Sequence, residues 1–298
     1  MQCLSPITMK MNVSVFPGGS VKQQQLVTVP CGRCAACLSR RKRDWMFRLL
    51  QEYHDHSTAA FVTLTYRDEC VPYATEEKYG TCIQTLCKYD LQLFMKRLRK
   101  RLGKGIRFFA VGEYGSKTCR PHYHLLLFGY PLKCNIGDVI LRSWGKGHVK
   151  IGSVTGASIN YCTKYCLIGG VDESFFSFLD RYGAERPFMV CSNRPAIGSS
   201  YLKSQAVVDY FRSNRTLMYV KDGIKMPLPR YYRDRIFNPY TLRSLNRELM
   251  NASIRRANEV FDRDSKKYGD HHACVLHDQR KTEFVRRVSK KFKHNEVL

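Results

Sequence analysis

One stretch constrains the fold more than any other: Arg120-Pro121-His122-Tyr123-His124-Leu125-Leu126-Leu127-Phe128. It is a short apolar run opened by a proline, and it reads as a buried strand over 122–128. Residues two apart on a strand share a face. His122 and His124 therefore project together, while Tyr123, Leu125 and Leu127 face the other way. Two neutral imidazoles side by side at the start of a buried strand make half a metal site. The bland alternative is two core or surface histidines that happen to alternate, and neighbouring elements decide between the two.

Upstream, 106–112 reads as a second strand, with Glu113 at its exit. If it pairs antiparallel with the histidine strand through the loop 114–121, Glu113 lies near both imidazoles. Two histidines and one carboxylate leave open positions on an octahedral ion such as Mg²⁺ or Mn²⁺, which a phosphodiester oxygen can take. Downstream comes Asn160-Tyr161-Cys162-Thr163-Lys164-Tyr165. On a helix Tyr161 and Tyr165 are i and i+4 and share a face, with Lys164 one step around. A tyrosine hydroxyl is a poor nucleophile near neutrality, because its ordinary pKa is about 10. A metal on the phosphate and a lysine beside the developing charge correct part of that. Two amphipathic tyrosines packed on a sheet are the ordinary explanation for this motif standing alone.

The rest of the chain supplies a frame. Residues 1–30 look extended and loop-like. CGRCAAC (Cys31, Cys34, Cys37) precedes a basic helix over 38–56, and TAAFVTLTY (58–66) is a strand. Asp90 is expected to cap a helix over 91–102, whose Leu91, Phe94, Leu98 and Leu102 keep helical spacing. A helix over 135–144, a strand over 147–154 and a short helix over 157–167 follow. The order β-α-β-β-α-β-α favours an α+β sandwich, an antiparallel sheet with helices on one side. Beyond Gly170 the pattern is less regular: a hairpin around Asp222-Gly223, a long charged helix over 240–267 and a basic end. The division expected is 1–57 as a cysteine-bearing and basic helical segment packed on the core, 58–170 as the core, and 171–298 as a mixed, then helical and basic extension.

Charge narrows the partner. Lys and Arg number 50 against 25 acids, a net +25. Such an excess repels itself in a folded chain and points to a polyanion, nucleic acid first and an anionic membrane surface second. No run approaches the roughly 18 apolar residues of a membrane span. MQCLSPITMKMNV lacks signal-peptide order, so a cytosolic protein is expected, and its 13 cysteines are thiols or metal ligands rather than disulfides. No G-x-x-x-x-G-K-[ST] loop is present.

Three motifs in order, FVTLTY (61–66), PHYHLLLF with its upstream Glu113, and YCTKY (161–165), resemble the rolling-circle Rep family of HUH endonucleases. The fuller string VPCGRCAAC…FVTLTY…FAVGEYG…RPHYHLLLFG…INYCTKY resembles the replication initiators of microviruses, especially the gokushovirus branch, over roughly residues 29 to 170. The resemblance implies an HUH Rep-like split β-α-β core. It implies His122, His124 and Glu113 as ligands of Mg²⁺ or Mn²⁺, Tyr161 as the first nucleophile, Tyr165 as a second, and Lys164 as their cationic neighbour. Where some two-tyrosine members carry a further lysine after the second tyrosine, this chain has Cys166-Leu167-Ile168. The implied activity is metal-dependent nicking of one strand of viral origin DNA by tyrosine transesterification. It leaves a 5′-phosphotyrosine and a 3′-hydroxyl primer, and the displaced strand is later rejoined without ATP. Host helicase and DNA polymerase are the implied partners, and the host cytoplasm the place.

Secondary sites are readable too. Cys31-x-x-Cys34-x-x-Cys37 has spacings common in zinc knuckles, and Cys3, Cys70 and His56 are candidates for a fourth ligand of a structural Zn²⁺. Reduced cysteines packed at a helix start are the alternative. His271, His272, Cys274 and His277 mimic a metal site in a polar stretch. Arg40, Arg41, Lys42 and Arg43, with Lys96, Arg97, Arg99 and Lys100, are candidates to track phosphates. Tyr114, Tyr130, Trp144, Tyr231 and Tyr232 are candidates to stack on unpaired bases. Two other functions compete: a non-catalytic zinc-containing nucleic-acid-binding protein, which leaves the histidine and tyrosine motifs unexplained, and an HUH transposase or relaxase, which shares the chemistry but not the cysteine block.

Overall fold

The computed structural model describes residues 3–14, 22–76, 80–115, 118–164 and 173–294. Its strands are β1 (Ile7–Ser14), β2 (Lys22–Val29), β3 (Ala59–Tyr66), β4 (Tyr73–Thr75), β5 (Cys82–Gln84), β6 (Arg107–Tyr114), β7 (Pro121–Phe128), β8 (Gly147–Gly152), β9 (Phe188–Cys191), β10 (Met218–Lys221) and β11 (Ile224–Pro227). Its helices are α1 (Ala35–His54), α2 (Lys88–Leu102), α3 (Ile136–Trp144), α4 (Gly156–Lys164), α5 (Glu173–Arg181), α6 (Gln205–Ser213), α7 (Arg230–Ile236), α8 (Pro239–Tyr268) and α9 (Asp270–His294). By contacts the chain forms two units, Lys42–Leu245 and a second made of Met1–Arg41 with Asn246–Leu298.

The larger unit is α+β, as expected. Its five-stranded sheet runs β8-β3-β7-β6-β9, antiparallel throughout. The histidine strand β7 takes the centre, where a continuous apolar run can be buried on both faces. Helices cover both faces of this sheet, which corrects the one-sided arrangement expected. On one face Leu91, Phe94, Met95 and Leu98 of α2 and Ile140 and Trp144 of α3 meet Val62, Leu64, Tyr66, Tyr123, Leu125 and Leu127. On the other, Leu49 and Trp45 of α1 and Ile159 and Cys162 of α4 meet Phe109, Val111, Leu126 and Phe128. A strand whose two sides are both apolar needs two covers, and the triple leucine of β7 is such a strand.

β9, the fifth strand, comes from a region whose sequence pattern gave no sign of it. Asp90 is also placed differently from expectation. α2 begins at Lys88 after Cys87, and Asp90 lies inside its first turn. There it is buried and accepts hydrogen bonds from Tyr66 Oη at 2.9 Å and Lys146 Nζ at 3.0 Å. Gly147 lets β8 close on β3: a Cβ there would lie 2.3 Å from the Thr65 carbonyl oxygen, at a φ of +155°. The β10–β11 hairpin turns through Asp222 and Gly223, both at positive φ, as the Asp-Gly pair predicts. A buried carboxylate, Glu52 of α1, ties this unit together. It accepts from Arg107 of β6, from the Gly198 N–H at 2.6 Å and from His56 at 3.2 Å.

In the smaller unit, β1 and β2 form an antiparallel hairpin with exposed Ile7, Met9 and Leu26. The segments of α8 and α9 in this unit join at Gly269, and Arg280 pairs with Asp264. No helix among the described residues is long and apolar enough to cross a membrane.

Candidate active site

β7 sits between β3 and β6, so its histidines have neighbours on both sides. The register sets Glu113 opposite His122 and Val111 opposite His124 on β6, and Thr65 opposite His122 and Thr63 opposite His124 on β3. Directly opposed residues of an antiparallel pair share a face. All of these side chains therefore belong to the α1/α4 face.

His124 is the fixed point. Its Nε2 lies 2.7 Å from Glu113 Oε1, and its Nδ1 lies 3.0 Å from Thr63 Oγ1. Phe61 stacks on the ring at 5.7 Å between centroids, nearly parallel. Tyr161 reaches the same spot from α4. Reciprocal bonds between Thr155 and Ser158 cap the start of that helix, at 2.8 and 3.2 Å. Ile159 and Cys162 bury its sheet-facing side. Tyr161 Oη donates to Glu113 Oε1 at 2.9 Å and lies 3.4 Å from His124 Nε2. Burial, then the charge of Glu113 and the bond to it, hold the Tyr161 hydroxyl well above the ordinary phenol range.

His122 stands apart from this trio. Its ring centroid is 6.3 Å from that of His124, at right angles, and its Nδ1 is buried with no hydrogen-bond partner among the described residues. A buried imidazole nitrogen without a partner is costly unless something else satisfies it. Two imidazoles and a carboxylate are donor types that a divalent cation takes, but the ligand atoms of His122, His124 and Glu113 do not all lie within 4.8 Å of one another. Gly115 makes room for His122: a Cβ there would lie 2.9 Å from His122 Nε2. Lys164 ends α4 one turn from Tyr161. Tyr165 lies outside the described residues.

The other predicted residues fall in distinct places. Among the described residues, Cys3, Cys31, Cys34 and Cys37 are the one group of His, Cys, Asp or Glu whose ligand atoms all lie within 4.8 Å of one another. Burial opposes ionisation of Cys34, but the N–H groups of Leu4 and Cys37 and the Cys31 thiol outweigh it and draw Cys34 down to about 6. Burial pushes the Cys37 thiol up to about 12. Cys70 instead accepts from Arg67, and His56 pairs with Glu52. Of the basic residues on α1, Lys42 is buried and Arg41 exposed. On α2, Lys96 and Lys100 are exposed, Arg97 donates to the Ser143 and Trp144 carbonyls, and Arg99 lies over Phe108. α2 covers the face of the sheet opposite the His–Tyr constellation. Trp144 and Tyr232 are fully buried and closed to base stacking. Tyr114 is held by Leu86 N and the Glu185 carbonyl.

Sequence reasoning missed four residues on the site's face. Thr63 and Thr65 are two. His148 and Lys150 on β8 are the others, opposite Thr65 and Thr63 and both exposed. Val149 between them packs on the other face. Period-two alternation marks each of these residues as sharing a face within its own strand. Only strand order, which sequence does not print, puts them on the same face as the histidines.

Residues 59–168 match a family model of replication-associated proteins, that of the ORF2 type. The chain is 26% identical over 262 residues to the replication-associated protein VP4 of Bdellovibrio phage phiMH2K, covering 78% of this chain and 76% of that one. It is 28% identical over 234 residues to ORF4 of Chlamydia phage 1, covering 69% and 53%, and 29% identical over 197 residues to ORF2 of Spiroplasma virus 4, covering 55% and 60%. These two are likewise replication-associated proteins, and the match spans less than two thirds of each. No solved structure matches the chain. The histidine strand, Glu113 and Tyr161 all lie inside the matched segment, so it is this part of the chain that is similar to the phage replication-associated proteins.

Proposed function

We propose that the chain is a replication-initiation endonuclease of the HUH type, which nicks one strand of viral origin DNA through Tyr161. The observation that carries this reading is the contact of the Tyr161 hydroxyl with Glu113, 2.9 Å away and beside His124. A structural tyrosine has no need of a buried carboxylate and an imidazole at its hydroxyl, whereas a nucleophile does.

His122, His124 and Glu113 would hold Mg²⁺ or Mn²⁺. When bound, that ion supplies Lewis-acid polarisation of the scissile phosphate. The chain's own residues do the rest. Tyr161 Oη attacks phosphorus, the bond from phosphorus to the 3′-oxygen breaks, and the phenol proton ends on the released 3′-hydroxyl. The 5′-phosphate stays on tyrosine, so the ester bond is exchanged rather than spent and rejoining needs no nucleotide. Glu113 Oε1 orients the phenol, Phe61 and Thr63 fix the His124 ring, and Lys164 offsets charge on the phosphoryl oxygens. Tyr165 is the candidate for the second attack that closes the displaced strand.

In this reading residues 58–170 carry the chemistry, completed by β9, while 1–57 and 171–298 extend DNA contact. The place is the host cytoplasm, and host helicase and DNA polymerase act on the unwound strand and the 3′-end. Incubating the full chain with a single-stranded origin oligonucleotide and Mn²⁺ tests the proposal. A covalent adduct is expected with the native chain and with Tyr165→Phe, and none with Tyr161→Phe. Undiminished adduct from Tyr161→Phe refutes the assignment. No adduct and no nick from the native chain leaves a non-catalytic DNA-binding protein.

A further inference from the structure

Four cysteines meet at the base of the β1–β2 hairpin. Cys3 precedes β1, Cys31 and Cys34 follow β2, and Cys37 lies in the first turn of α1. Cys3 Sγ is 3.5 Å from Cys31 Sγ and 3.8 Å from Cys34 Sγ. A tetrahedron with metal–sulfur bonds of about 2.3 Å has edges of about 3.8 Å, so these separations are those of a tetrathiolate centre. All four are free thiols. The backbone supports charge on them: Leu4 N–H donates to Cys34 Sγ at 3.4 Å, Cys31 N–H to Cys3 Sγ at 3.3 Å and Cys34 N–H to Cys31 Sγ at 3.3 Å. Hydrogen bonds donated to sulfur favour thiolate over thiol and orient metal ligands. Without a cation, several thiolates this close repel one another.

We propose that Cys3, Cys31, Cys34 and Cys37 bind one structural zinc ion, separate from the nicking centre. Four thiolates fill a tetrahedral ion and leave no open position, so the site is closed to catalysis. Its work is mechanical. Among its described side chains the β1–β2 hairpin exposes Ile7, Met9 and Leu26, and a two-stranded ribbon is marginal in water by itself. Zinc joins the start of that ribbon to its end and to the first turn of α1, across the sequence separation of 28 from Cys3 to Cys31, and supplies the cross-link that hydrophobic burial does not.

The test is metal stoichiometry on the full chain, purified under reducing conditions without chelator. Elemental analysis is expected to give about one zinc per chain, retained in His122→Ala and in Cys82→Ser, whose exposed thiol lies outside the cluster, and lost in Cys34→Ser. Replacement by Co²⁺ is expected to give the sulfur-to-metal charge-transfer and intense visible bands of a tetrahedral thiolate site. Mercurial titration is expected to release the zinc as the four thiols react. A folded native chain that carries no zinc and takes up no Co²⁺ overturns the proposal, as does bound iron in place of zinc or zinc that leaves with His122→Ala. Nicking is not part of this readout, so the zinc site can fail while the endonuclease stands, and the reverse.

Discussion

Replacing Thr63 with valine isolates one hydrogen bond of the site. Thr63 Oγ1 lies 3.0 Å from His124 Nδ1, and the other ring nitrogen faces Glu113 Oε1 at 2.7 Å. As long as Nε2 carries the proton and donates to Glu113, Nδ1 accepts from the threonine. Were His124 to hold a cation through Nε2, its proton would sit on Nδ1 and the threonine would accept. A hydroxyl serves both states because it donates and accepts; a methyl serves neither. Valine keeps the β-branched shape that a strand favours, so the loss is confined to the bond. A net hydrogen bond is worth about 1 kcal/mol, and removing a partner behind a metal-binding histidine typically costs about 10- to 100-fold in affinity. The lower end of that range, about tenfold or about 1.4 kcal/mol, suits this half-buried threonine, since Phe61 still stacks on the ring. The assay is the initial nicking rate on a single-stranded oligonucleotide as Mn²⁺ is titrated. Thr63→Val is expected to raise the metal midpoint about tenfold and to approach the native rate at saturation, and Thr63→Ser to behave as native. An unchanged midpoint in an active, folded Thr63→Val chain, or a defect that no amount of metal restores, refutes this account of Thr63.

Two further perturbations separate substrate contact from stability. His148 and Lys150 are exposed on β8, on the His–Tyr face. Changing both to alanine is expected to weaken binding of a short origin oligonucleotide about three- to tenfold and to reduce the salt dependence by about one phosphate contact. The nicking rate at saturating DNA is expected to hold, whereas the pair Lys96→Ala and Lys100→Ala, on the opposite face, is expected to leave that binding unchanged. Glu52 is buried against Arg107, the Gly198 N–H and His56, and Glu52→Ala, which strands the Arg107 guanidinium, is expected to cost about 3 kcal/mol in denaturant unfolding. Although burial opposes it, the Arg107 guanidinium and the Gly198 N–H hold the Glu52 carboxyl below its ordinary value. Its stabilisation is therefore present above the unfolded value of about 4.3 and is lost as pH falls through the lower folded value. The unfolding free energy of Glu52→Gln is expected to fall less steeply than the native one as the pH drops below about 5, and equal slopes sink the assignment.

What was legible in the sequence follows from what is local. Alternation set His122 and His124 on one face, the Asp222-Gly223 pair announced its hairpin, and spacing on α2 exposed its buried stripe of Leu91, Phe94 and Leu98. What was not legible depends on neighbours. β9 has four residues, too few for any period to show, and its existence depends on an open edge of β6. Asp90 has the composition of a cap, but a phenol and a lysine distant in sequence, Tyr66 and Lys146, claim its carboxylate. Arg97 belongs to a basic run that looks solvent-directed, yet it satisfies two carbonyls at the end of α3. Each of these is a long-range pairing that the surrounding few residues do not encode.

The position of β7 in the sheet explains why a three-residue motif suffices to build such a site. A histidine pair on an edge strand has one neighbour, and water reaches it from the side. Here the pair lies on the central strand. One flank supplies Glu113 from β6 and the other supplies Thr63 from β3, each at a register position opposite a histidine. The acid and the hydroxyl thus reach the imidazoles through backbone pairing, which costs no additional loop. Past β3 the sheet ends at β8, so the first strand that solvent reaches on this side carries His148 and Lys150. On the function proposed, a single strand of DNA approaching along that face would meet Lys150 at the edge before the chemistry at the middle. It follows that a charge reversal at Lys150 belongs to substrate capture and one at Glu113 to the reaction itself. Kinetics at saturating and limiting oligonucleotide distinguish the two: Lys150→Glu loses rate only when DNA is limiting, and Glu113→Lys loses it at every concentration.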